Sequence, residues 1–265
     1  MAAIHHMTAL VIRETEYGEH DKLLTLLTAE KGKITVLVKG AKSLKNKNMA
    51  STQLLCYSEF TVRERSGFYT LAEASLIEQF FGLRKDLVRH AAAQYAADVA
   101  GEVCVENNDE APMLQLLLNT LYMLAETDRC VDIVKAVFEF RCAVLSGFCP
   151  DLSACPLCGK KEVEPMYLDV MNGTLRCGEC FGQENDVVSC EAIGQTTVIL
   201  PLSPAVLGAL RYVIGSPAKR VFSFRLPEEA IGDFCRVTEK YLAHQLERGF
   251  RTLTFYHRVR ALEES

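Results

Sequence analysis

Two pairs of cysteines in the middle of the chain constrain its fold more than any other feature. Cys155 and Cys158 are separated by two residues, as are Cys177 and Cys180, and eighteen residues lie between the pairs. Two intervening residues let both thiolates of a pair turn toward one point, and a gap of about 15–20 residues between pairs is typical of zinc sites. The spacing therefore predicts one structural zinc ion, Zn2+, bound by these four cysteines.

The residues between the two pairs favour a small zinc ribbon. Residues 166–170 and 174–176 are typical of short strands, and Asn172-Gly173 between them predicts a two-residue hairpin turn. Four thiolates would fill the coordination sphere of the metal and leave no position for an activated water. We therefore expect the metal to hold the fold together and not to catalyse a reaction.

Two alternatives to a metal site are a redox-active pair and four buried free thiols. A redox pair normally lies beside a strand–helix unit, whereas both pairs here lie in sequence rich in turns. Gly159 and Gly178, next to the cysteines, suit a metal knuckle because such a turn often needs a positive φ. These features favour the metal.

Length and composition limit the class of protein. The chain has 265 residues, of which 49% are apolar, enough for two or three small units with cores of their own. No apolar run is long enough to span a membrane, and the start lacks a signal-peptide pattern. Eleven cysteines without a secretion signal predict a cytoplasmic protein, associated with the nucleoid if it binds DNA. Residues 1–6 are interpreted as an appended segment, with Met7 as the natural start.

The net charge of −5 hides an uneven distribution. Residues 81–200 carry nine basic and eighteen acidic side chains, whereas residues 201–265 carry ten and seven. Residues 31–50 contain no acid and six lysines: Lys31, Lys33, Lys39, Lys42, Lys45 and Lys47. An acidic middle with basic ends predicts separate surfaces for separate partners.

Residues 7–80 are predicted to form a small β-barrel. Five short strands are expected at residues 8–13, 23–27, 34–38, 54–65 and 68–77. Five strands within about seventy residues favour the oligonucleotide-binding (OB) barrel, although an SH3-like barrel has a similar strand count.

Most of the remaining chain is predicted to be helical, which makes the fold class α+β: an OB-fold barrel, then a helical domain with an inserted four-cysteine zinc ribbon. Helices are expected at residues 83–105, 112–127, 131–146, 204–215 and 226–246, and extended segments at 187–190 and 197–200. The predicted domain bounds are 7–80 for the barrel, 81–148 and 186–265 for the two parts of the helical domain, and 149–185 for the ribbon.

Motifs of common enzymes are missing, which favours a binding protein. The chain contains no phosphate-binding glycine loop, no nucleophile elbow and no His-Glu-x-x-His pattern. The lysines after the third strand are the best candidates for DNA contacts, because a cationic loop neutralises phosphates, although a merely solvated loop remains an alternative. The predicted DNA-binding residues are Lys33, Lys39, Lys42, Lys45, Lys47, Arg63 and Arg65. Nearby aromatic side chains could stack on bases or belong to the core: Tyr57, Phe60, Phe68 and Tyr69.

Several segments resemble the RecO family of bacterial recombination mediators. The sequence FEFR at 138–141, LSGFCPDL at 145–152 and the following Cys155 and Cys158-Gly159 resemble the family's central signature. GEHD at 18–21 and KGA at 39–41 resemble its N-terminal pattern. The resemblance covers about residues 8 to 245, and the tail after Gly249 matches no pattern of the family.

The resemblance implies a non-enzymatic DNA repair protein. RecO-like proteins bind single- and double-stranded DNA, anneal complementary strands, act with RecR, engage the C-terminal tail of the single-stranded DNA-binding protein SSB and help load RecA. An acidic tail with an apolar end would need a groove with a basic rim, and the candidates for that rim are Lys135 and Arg141, or Arg211, Lys219 and Arg220. Two other classes stay open: a zinc-ribbon/OB transcription or translation factor, and a nucleic-acid enzyme with an unrecognised site.

Overall fold

The computed structural model describes residues 3–43, 45–181 and 198–263. The chain divides into two compact units, Met1–Val131 with Phe250–Ser265, and Asp132–Gly249. This division has fewer parts than the four predicted domains. Its boundary falls between residues 131 and 132, inside the first part of the predicted helical domain. The predicted domain bounds therefore stay a prediction. The extended segment predicted at residues 187–190 lies outside the described residues, as does Thr197, the first residue of the segment predicted at 197–200.

The described strands and helices are segregated along the chain, as in an α+β fold: five strands come first and most of the helices follow. The strands are β1 Ala3–Tyr17, β2 Asp21–Thr28, β3 Lys33–Val38, β4 Tyr57–Arg65, β5 Phe68–Glu78, β6 Met166–Asp169, β7 Thr174–Cys177 and β8 Ile199–Leu202. The helices are α1 Leu87–Val103, α2 Ala111–Glu126, α3 Val131–Leu145, α4 Gly178–Phe181, α5 Pro204–Gly215, α6 Glu228–Gln245 and α7 Arg251–Glu263, and a 3-10 helix spans Phe81–Lys85. No described helix is both long enough and apolar enough to cross a membrane.

The first five strands close into a barrel with the order β1-β2-β3-β5-β4. Strands β3 and β5 run parallel, and the other neighbours are antiparallel. Alternate residues point inward, so that Ile34, Val36 and Val38 of β3 share the core with Phe60 and Val62 of β4. The predicted α+β class with an N-terminal OB-like β domain is confirmed.

Residues 3–6 belong to this barrel. Strand β1 pairs with β4 from Ala3, opposite Glu64, to Leu10, opposite Tyr57. His5 Nε2 also lies 2.7 Å from Glu64 Oε2. Residues 3–6 therefore extend a strand of the fold, and the interpretation of residues 1–6 as an appended segment stays a prediction.

The turn between β2 and β3 is fixed against the connection from α1 to α2. Lys33 N donates to Val105 O at 3.1 Å, and Asn107 N donates to Lys31 O at 2.9 Å. Between them, Gly32 has φ 59°, and a Cβ on this residue would lie 2.1 Å from Val105 O. Only glycine fits this turn, because both the backbone conformation and the close approach exclude a side chain.

Two features of the helices in the first unit, residues 1–131 and 250–265, differ from the prediction. The helix expected at residues 83–105 is interrupted at Asp86, where φ is −141° and the side-chain Oδ1 accepts Arg89 N at 3.0 Å, capping α1. Helix α7 was not predicted. It packs on α1 through Thr252, whose Oγ1 donates to Asp98 Oδ2 at 3.0 Å.

In the second unit, the ribbon hairpin joins β8 in a three-stranded sheet with the order β7-β6-β8. Asp169 pairs with Thr174, so four residues, 170–173, form the turn. The predicted two-residue turn is wrong, because Asp169 Oδ1 accepts Asn172 N at 3.1 Å and Val170 N donates to Val198 O at 3.0 Å. These bonds hold Val170 away from the hairpin ladder.

Helix α6 ties the ribbon into this unit. Gln245 Nε2 donates to Val170 O at 2.8 Å, and the Tyr241 hydroxyl donates to Phe148 O at 2.9 Å. Burial raises the pKa of Tyr241 to about 12, so its hydroxyl keeps the proton that this bond needs. The ribbon is thus anchored before its first metal ligand and again between the two pairs of cysteines.

Candidate metal centre and nucleic-acid interface

The four predicted metal ligands converge on one point. The sulfur atoms of Cys155, Cys158, Cys177 and Cys180 all lie within 4.8 Å of one another, and Cys158 Sγ is 3.5 Å from Cys177 Sγ. Four sulfurs bound to a central zinc at about 2.3 Å would be about 3.8 Å apart. The described cluster therefore has the size and the donor set of a site that could hold one metal ion.

Local backbone geometry turns the first pair of cysteines inward. Gly159 has φ 74°, as its position in a knuckle predicts, and its N–H donates to Cys155 O at 2.8 Å. Cys155 N in turn donates to Lys160 O at 2.8 Å. This tight turn brings the two sulfurs of the pair together.

The second pair is positioned differently. Cys177 ends β7 and Cys180 lies on the short helix α4. Gly178 does not have the positive φ that was expected. A Cβ on this residue would lie 2.7 Å from Pro165 Cγ, and its N–H donates to Pro165 O at 2.8 Å. Close contact with Pro165, and not an unusual backbone conformation, explains why glycine stands here.

The thiols of Cys155 and Cys180 differ in pKa. Burial opposes ionisation of Cys155, but backbone N–H groups of Cys177, Leu157 and Cys158 lower its pKa to about 6. Hydrogen bonds with the sulfurs of Cys177 and Cys158 raise the pKa of Cys180 to about 12. Four adjacent thiolates repel one another, so a bound cation is what would allow all four to ionise.

Four of the five predicted DNA-binding lysines, all except Lys33, lie in the loop between β3 and β4, here called the lysine loop, residues 39–56. At its start, Gly40 N donates to Asp21 Oδ1 at 2.8 Å, and Lys42 N donates to His20 O at 3.2 Å. Residues 18–21 and 39–41, which both resemble the family's N-terminal pattern, are therefore in contact. The role of Asp21 was not predicted, since its sequence context indicates only a polar turn.

Asn48 fixes the middle of the lysine loop to the barrel. Its side-chain Oδ1 accepts Ala74 N of β5 at 3.1 Å. Ser51 Oγ donates to Asn48 O at 3.0 Å and to Ala74 O at 3.2 Å. The loop is thus ordered along β5, which an alternation of lysine and asparagine in the sequence does not reveal.

The lysines of the loop differ in how much charge they offer. Lys42 Nζ lies 3.2 Å from Glu16 Oε2, and Lys47 Nζ lies 2.8 Å from Glu73 Oε1. The bond from Lys47 lowers the pKa of Glu73. Lys39 and Lys45 are exposed and form no ion pair within the described part of the chain. They are therefore the lysines of the loop most available to phosphates.

The six lysines of residues 31–50 do not form one patch. Lys33 Nζ donates to Gly101 O at 2.8 Å, near the end of α1. Lys31 Nζ lies 3.3 Å from His5 Nδ1 and 5.4 Å from the centre of the Tyr69 ring. Because β3 rises about 3.3 Å per residue, Lys33 and Lys39 stand about 20 Å apart along the strand. Lys33 therefore lies away from the lysine loop, with its charge directed at a carbonyl.

Arg63 and Arg65 are exposed on the outer side of β4, and their predicted role in DNA binding stays a prediction. Of the aromatic candidates, Phe60 is a core residue with 1% exposure, whereas Phe68 is 78% exposed. Tyr57 and Tyr69 are half-buried: Tyr69 contacts His5 edge to face at 6.0 Å.

Lys135 is placed in the interior, not at a surface rim. Its side chain is 3% exposed, and Nζ donates to Glu139 Oε1 and to Glu239 Oε2, both at 2.7 Å. Burial opposes its charge, but the two carboxylates outweigh burial and raise the pKa of Lys135. The side chain joins α3 to α6.

Two of the predicted rim arginines satisfy backbone carbonyls of the same unit. Arg141 Nη1 donates to Val213 O at 3.0 Å and to Ile214 O at 2.7 Å, at the end of α5. Arg211 Nε donates to Leu152 O at 2.8 Å, before the first metal ligand. The remaining two cations, Lys219 and Arg220, are exposed after α5.

Comparison with known proteins agrees with the sequence resemblance. The family model "Recombination protein O N terminal" matches residues 1–80, and "Recombination protein O C terminal" matches residues 84–254. The DNA repair protein RecO of Acetivibrio thermocellus is 34% identical over 248 residues, 94% of each chain. That of Symbiobacterium thermophilum is 29% identical over 260 residues, 98% of this chain and 99% of the relative. With both halves matched and a relative aligned along nearly its whole length, the chain belongs to the RecO family of DNA repair and recombination proteins.

Proposed function

We propose that the protein is a DNA-binding recombination mediator without enzymatic activity. In this proposal it binds single- and double-stranded DNA, anneals complementary strands and, together with RecR, helps load RecA on single-stranded DNA coated with SSB. The observation that carries the proposal is the lysine loop, which Asp21 and Asn48 hold in a fixed position on a closed OB-like barrel. A loop ordered in this way presents its charges to a nucleic acid backbone without first losing conformational entropy.

The lysine loop supports annealing through charge alone. Two complementary strands repel each other through their phosphates, and lysine side chains that bind phosphate reduce this repulsion and release counterions. Lys39 and Lys45 can do so directly. Lys42 and Lys47 first have to exchange Glu16 and Glu73 for phosphates, which reduces their net contribution. Annealing forms no covalent bond, so the mechanism needs no catalytic residue.

We further propose that the metal of the cysteine cluster is one structural zinc ion, held by Cys155, Cys158, Cys177 and Cys180. Four sulfur donors in a compact cluster suit zinc, which prefers tetrahedral thiolate coordination. When bound, zinc contributes folding energy to the ribbon and offers no open coordination position. Helix α6 would receive this stabilisation through Tyr241 and Gln245.

The proposed partner surface lies in the unit formed by residues 132–249. Of the five cations predicted to contact a partner, Lys219 and Arg220 are exposed, whereas Lys135, Arg141 and Arg211 are occupied by internal carboxylates and carbonyls. We therefore propose that Lys219 and Arg220 form the basic rim for an acidic segment such as the SSB tail. Charge reversal at both positions would weaken binding of the isolated tail peptide.

The proposal is tested by annealing of SSB-coated complementary strands with the purified protein and no nucleotide. The protein should accelerate annealing, and Lys39→Ala with Lys45→Ala should weaken DNA binding. For single strands this pair should also reduce the slope of log affinity against log salt by up to about 1.4. Lys42→Ala with Lys47→Ala should reduce the slope less.

A matched control removes two exposed cations elsewhere, by Arg225→Ala with Lys240→Ala. Neither side chain forms an ion pair within the described residues, so this control tests net charge alone. Equal effects of the control and the Lys39/Lys45 variant would contradict the assignment of the loop. Sequence-specific duplex binding without annealing would contradict the mediator function and favour a transcription factor.

A further inference from the structure

Helix α7 carries an exposed stripe of alternating cationic and apolar side chains. Arg251, Phe255, Arg258 and Leu262 follow one another at intervals of four, three and four residues, which places them on one face of the helix. Phe255 is 43% exposed and Leu262 is 76% exposed. This face differs from that of a helix that only packs, because its largest apolar side chains point away from the core.

The other side of α7 is fixed to the unit that contains the barrel. Tyr256 and Val259 are buried, and the ring of Phe250, just before the helix, lies 5.8 Å from that of Tyr95 on α1. Asp98 of α1 accepts Thr252 Oγ1 at 3.0 Å through one oxygen and Arg13 Nη2 of β1 at 3.0 Å through the other. One carboxylate thus connects α7 to the first strand of the barrel, so the stripe is held in a fixed orientation on that unit.

The charge of the stripe is uncompensated. Arg251 and Arg258 form no ion pair or side-chain hydrogen bond within the described residues, and the stripe contains no acid. Seven residues of helix separate the two arginines by about 10 Å along the axis. Phe255 stands between them, so an aromatic face is flanked by two guanidinium groups.

We propose that this α7 stripe binds single-stranded DNA, with Arg251 and Arg258 on phosphates and Phe255 stacked on a base. Arginine binds phosphate through a planar fork of donors, and base–aromatic stacking is available only where bases are unpaired. An acidic peptide would also pair with the arginines, but each unpaired nucleotide brings both a phosphate and a flat base, which matches a ring flanked by two guanidinium groups. The proposal rests on the proposed function and adds a second contact surface to the lysine loop.

The stacking part is tested with a fluorescent reporter. The chain has no tryptophan, so Phe255→Trp introduces a single one in the stripe. Titration of the full-length variant with an oligothymidylate should quench its fluorescence, because the indole would stack on bases. Tyr122→Trp serves as the control, since Tyr122 is 55% exposed on α2 in the same unit and lies outside the stripe.

The phosphate part is tested by Arg251→Ala with Arg258→Ala. This pair should reduce the salt slope for single-stranded DNA by about 1.4, whereas Arg225→Ala with Lys240→Ala should leave it nearly unchanged. Phe255→Ala should weaken binding roughly tenfold and Phe255→Tyr should restore it, because tyrosine keeps the stacking face. Thermal unfolding of each variant shows whether the fold is intact.

The outcomes separate this inference from the proposed function. If the unaltered protein binds no DNA, the proposed function itself fails. If it binds DNA but Phe255→Trp is not quenched and the arginine pair does not change the slope, the stripe is not a DNA site and the lysine loop stands alone. Quenching by an acidic peptide, without quenching by DNA, would instead identify a protein-docking face and overturn the proposal.

Discussion

Asp21 and Gly40 connect the two segments that carry the N-terminal family pattern. Asp21 Oδ1 accepts Gly40 N at 2.8 Å, and next to this bond His20 O accepts Lys42 N at 3.2 Å. The turn between β1 and β2 therefore determines where the lysine loop begins. The two short motifs, weak as separate sequence signals, form one structural element at the end of the barrel.

Asp21→Ala should loosen the start of the lysine loop. Loss of a hydrogen bond to a carboxylate should reduce the free energy of unfolding by about 1–2 kcal/mol. DNA binding should weaken as well, although the change removes a negative charge. Urea unfolding and DNA titration measure the two effects.

Glu19→Ala is the control for Asp21→Ala, because the Glu19 side chain is 93% exposed and its loss removes the same charge from the same turn. It should leave stability unchanged and bind DNA as well as, or better than, the unaltered protein. Tighter binding by both variants would mean that the position of the loop does not matter.

Gly32→Ala should destabilise the first unit strongly. Its φ of 59° is unfavourable for alanine, and the new Cβ would lie 2.1 Å from Val105 O. Strain and overpacking together should cost about 2–4 kcal/mol in the free energy of unfolding. Gly18→Ala isolates the strain, since Gly18 has φ 60° with nothing within 4 Å of the added atom. Similar losses in chemical denaturation for the two variants would show that the contact with Val105 is unimportant.

Cys177→Ser should abolish binding of the metal ion. Cys177 is fully buried among the other ligands, and a hydroxyl is a poor substitute for a thiolate. Elemental analysis should find about one zinc per chain in the unaltered protein and much less in the variant. Cys149→Ser, at an exposed cysteine outside the cluster, should keep the zinc.

Amide hydrogen exchange gives the second readout for Cys177→Ser. Protection should fall in the ribbon and in α6 near Tyr241 and Gln245, which hold the ribbon in place. Unchanged exchange there, together with metal-free unaltered protein, would argue against a structural metal.

Lys135→Met should be among the most destabilising single changes in the second unit. It would remove the ion pair between Lys135 and Glu139, whose side chain is fully buried, at a cost of about 3–5 kcal/mol. Adding Glu139→Leu should recover part of the loss, because the buried charge is then removed. Thr238 Oγ1 would keep its bond to Cys235 O at 3.1 Å. A double variant as unstable as the single one would contradict this account.

The same cluster predicts a pH dependence at alkaline pH. The folded state raises the pKa of Lys135 above 10.5, the ordinary value for lysine. Its contribution to stability is therefore fully present below that pH and is lost as the pH rises through the folded-state pKa. Unfolding free energies of the unaltered protein should fall in this range, whereas those of Lys135→Met should fall less. Lys240→Met, at an exposed position, should behave like the unaltered protein.

The sequence predicted those strands and helices that are determined by residues close to one another along the chain. The five barrel strands follow from β-branched runs separated by turns, and the helix from Pro204 follows from the Ser203 cap, whose Oγ accepts Val206 N at 3.3 Å. Helix α7 was missed because its buried face consists mainly of Tyr256 and Val259, which is too narrow for a clear helical period. Its helical state depends on packing against α1 instead.

The candidate sites also divide into those determined by residues close in sequence and those determined by residues distant in sequence. Four cysteines with characteristic spacing identify the metal cluster, because the ligands themselves are the signal. Counting charges could not show that Lys33 is bound to a carbonyl, that Lys135 is buried, or that Arg211 joins two segments. These roles depend on partners distant in sequence, and lysine or arginine looks alike whether it faces solvent or a buried acceptor.

Helix α7 also affects the order in which the chain can fold during synthesis. The first unit is built from residues 1–131 and from residues 250–265, so the whole second unit leaves the ribosome before α7 does. Until then, the surface of α1 around Tyr95, which is 2% exposed in the complete fold, has no Phe250 to cover it. Residues 132–249 can become compact during translation, whereas the apolar surface of α1 that α7 covers stays open to chaperones or to premature association until α7 has been made.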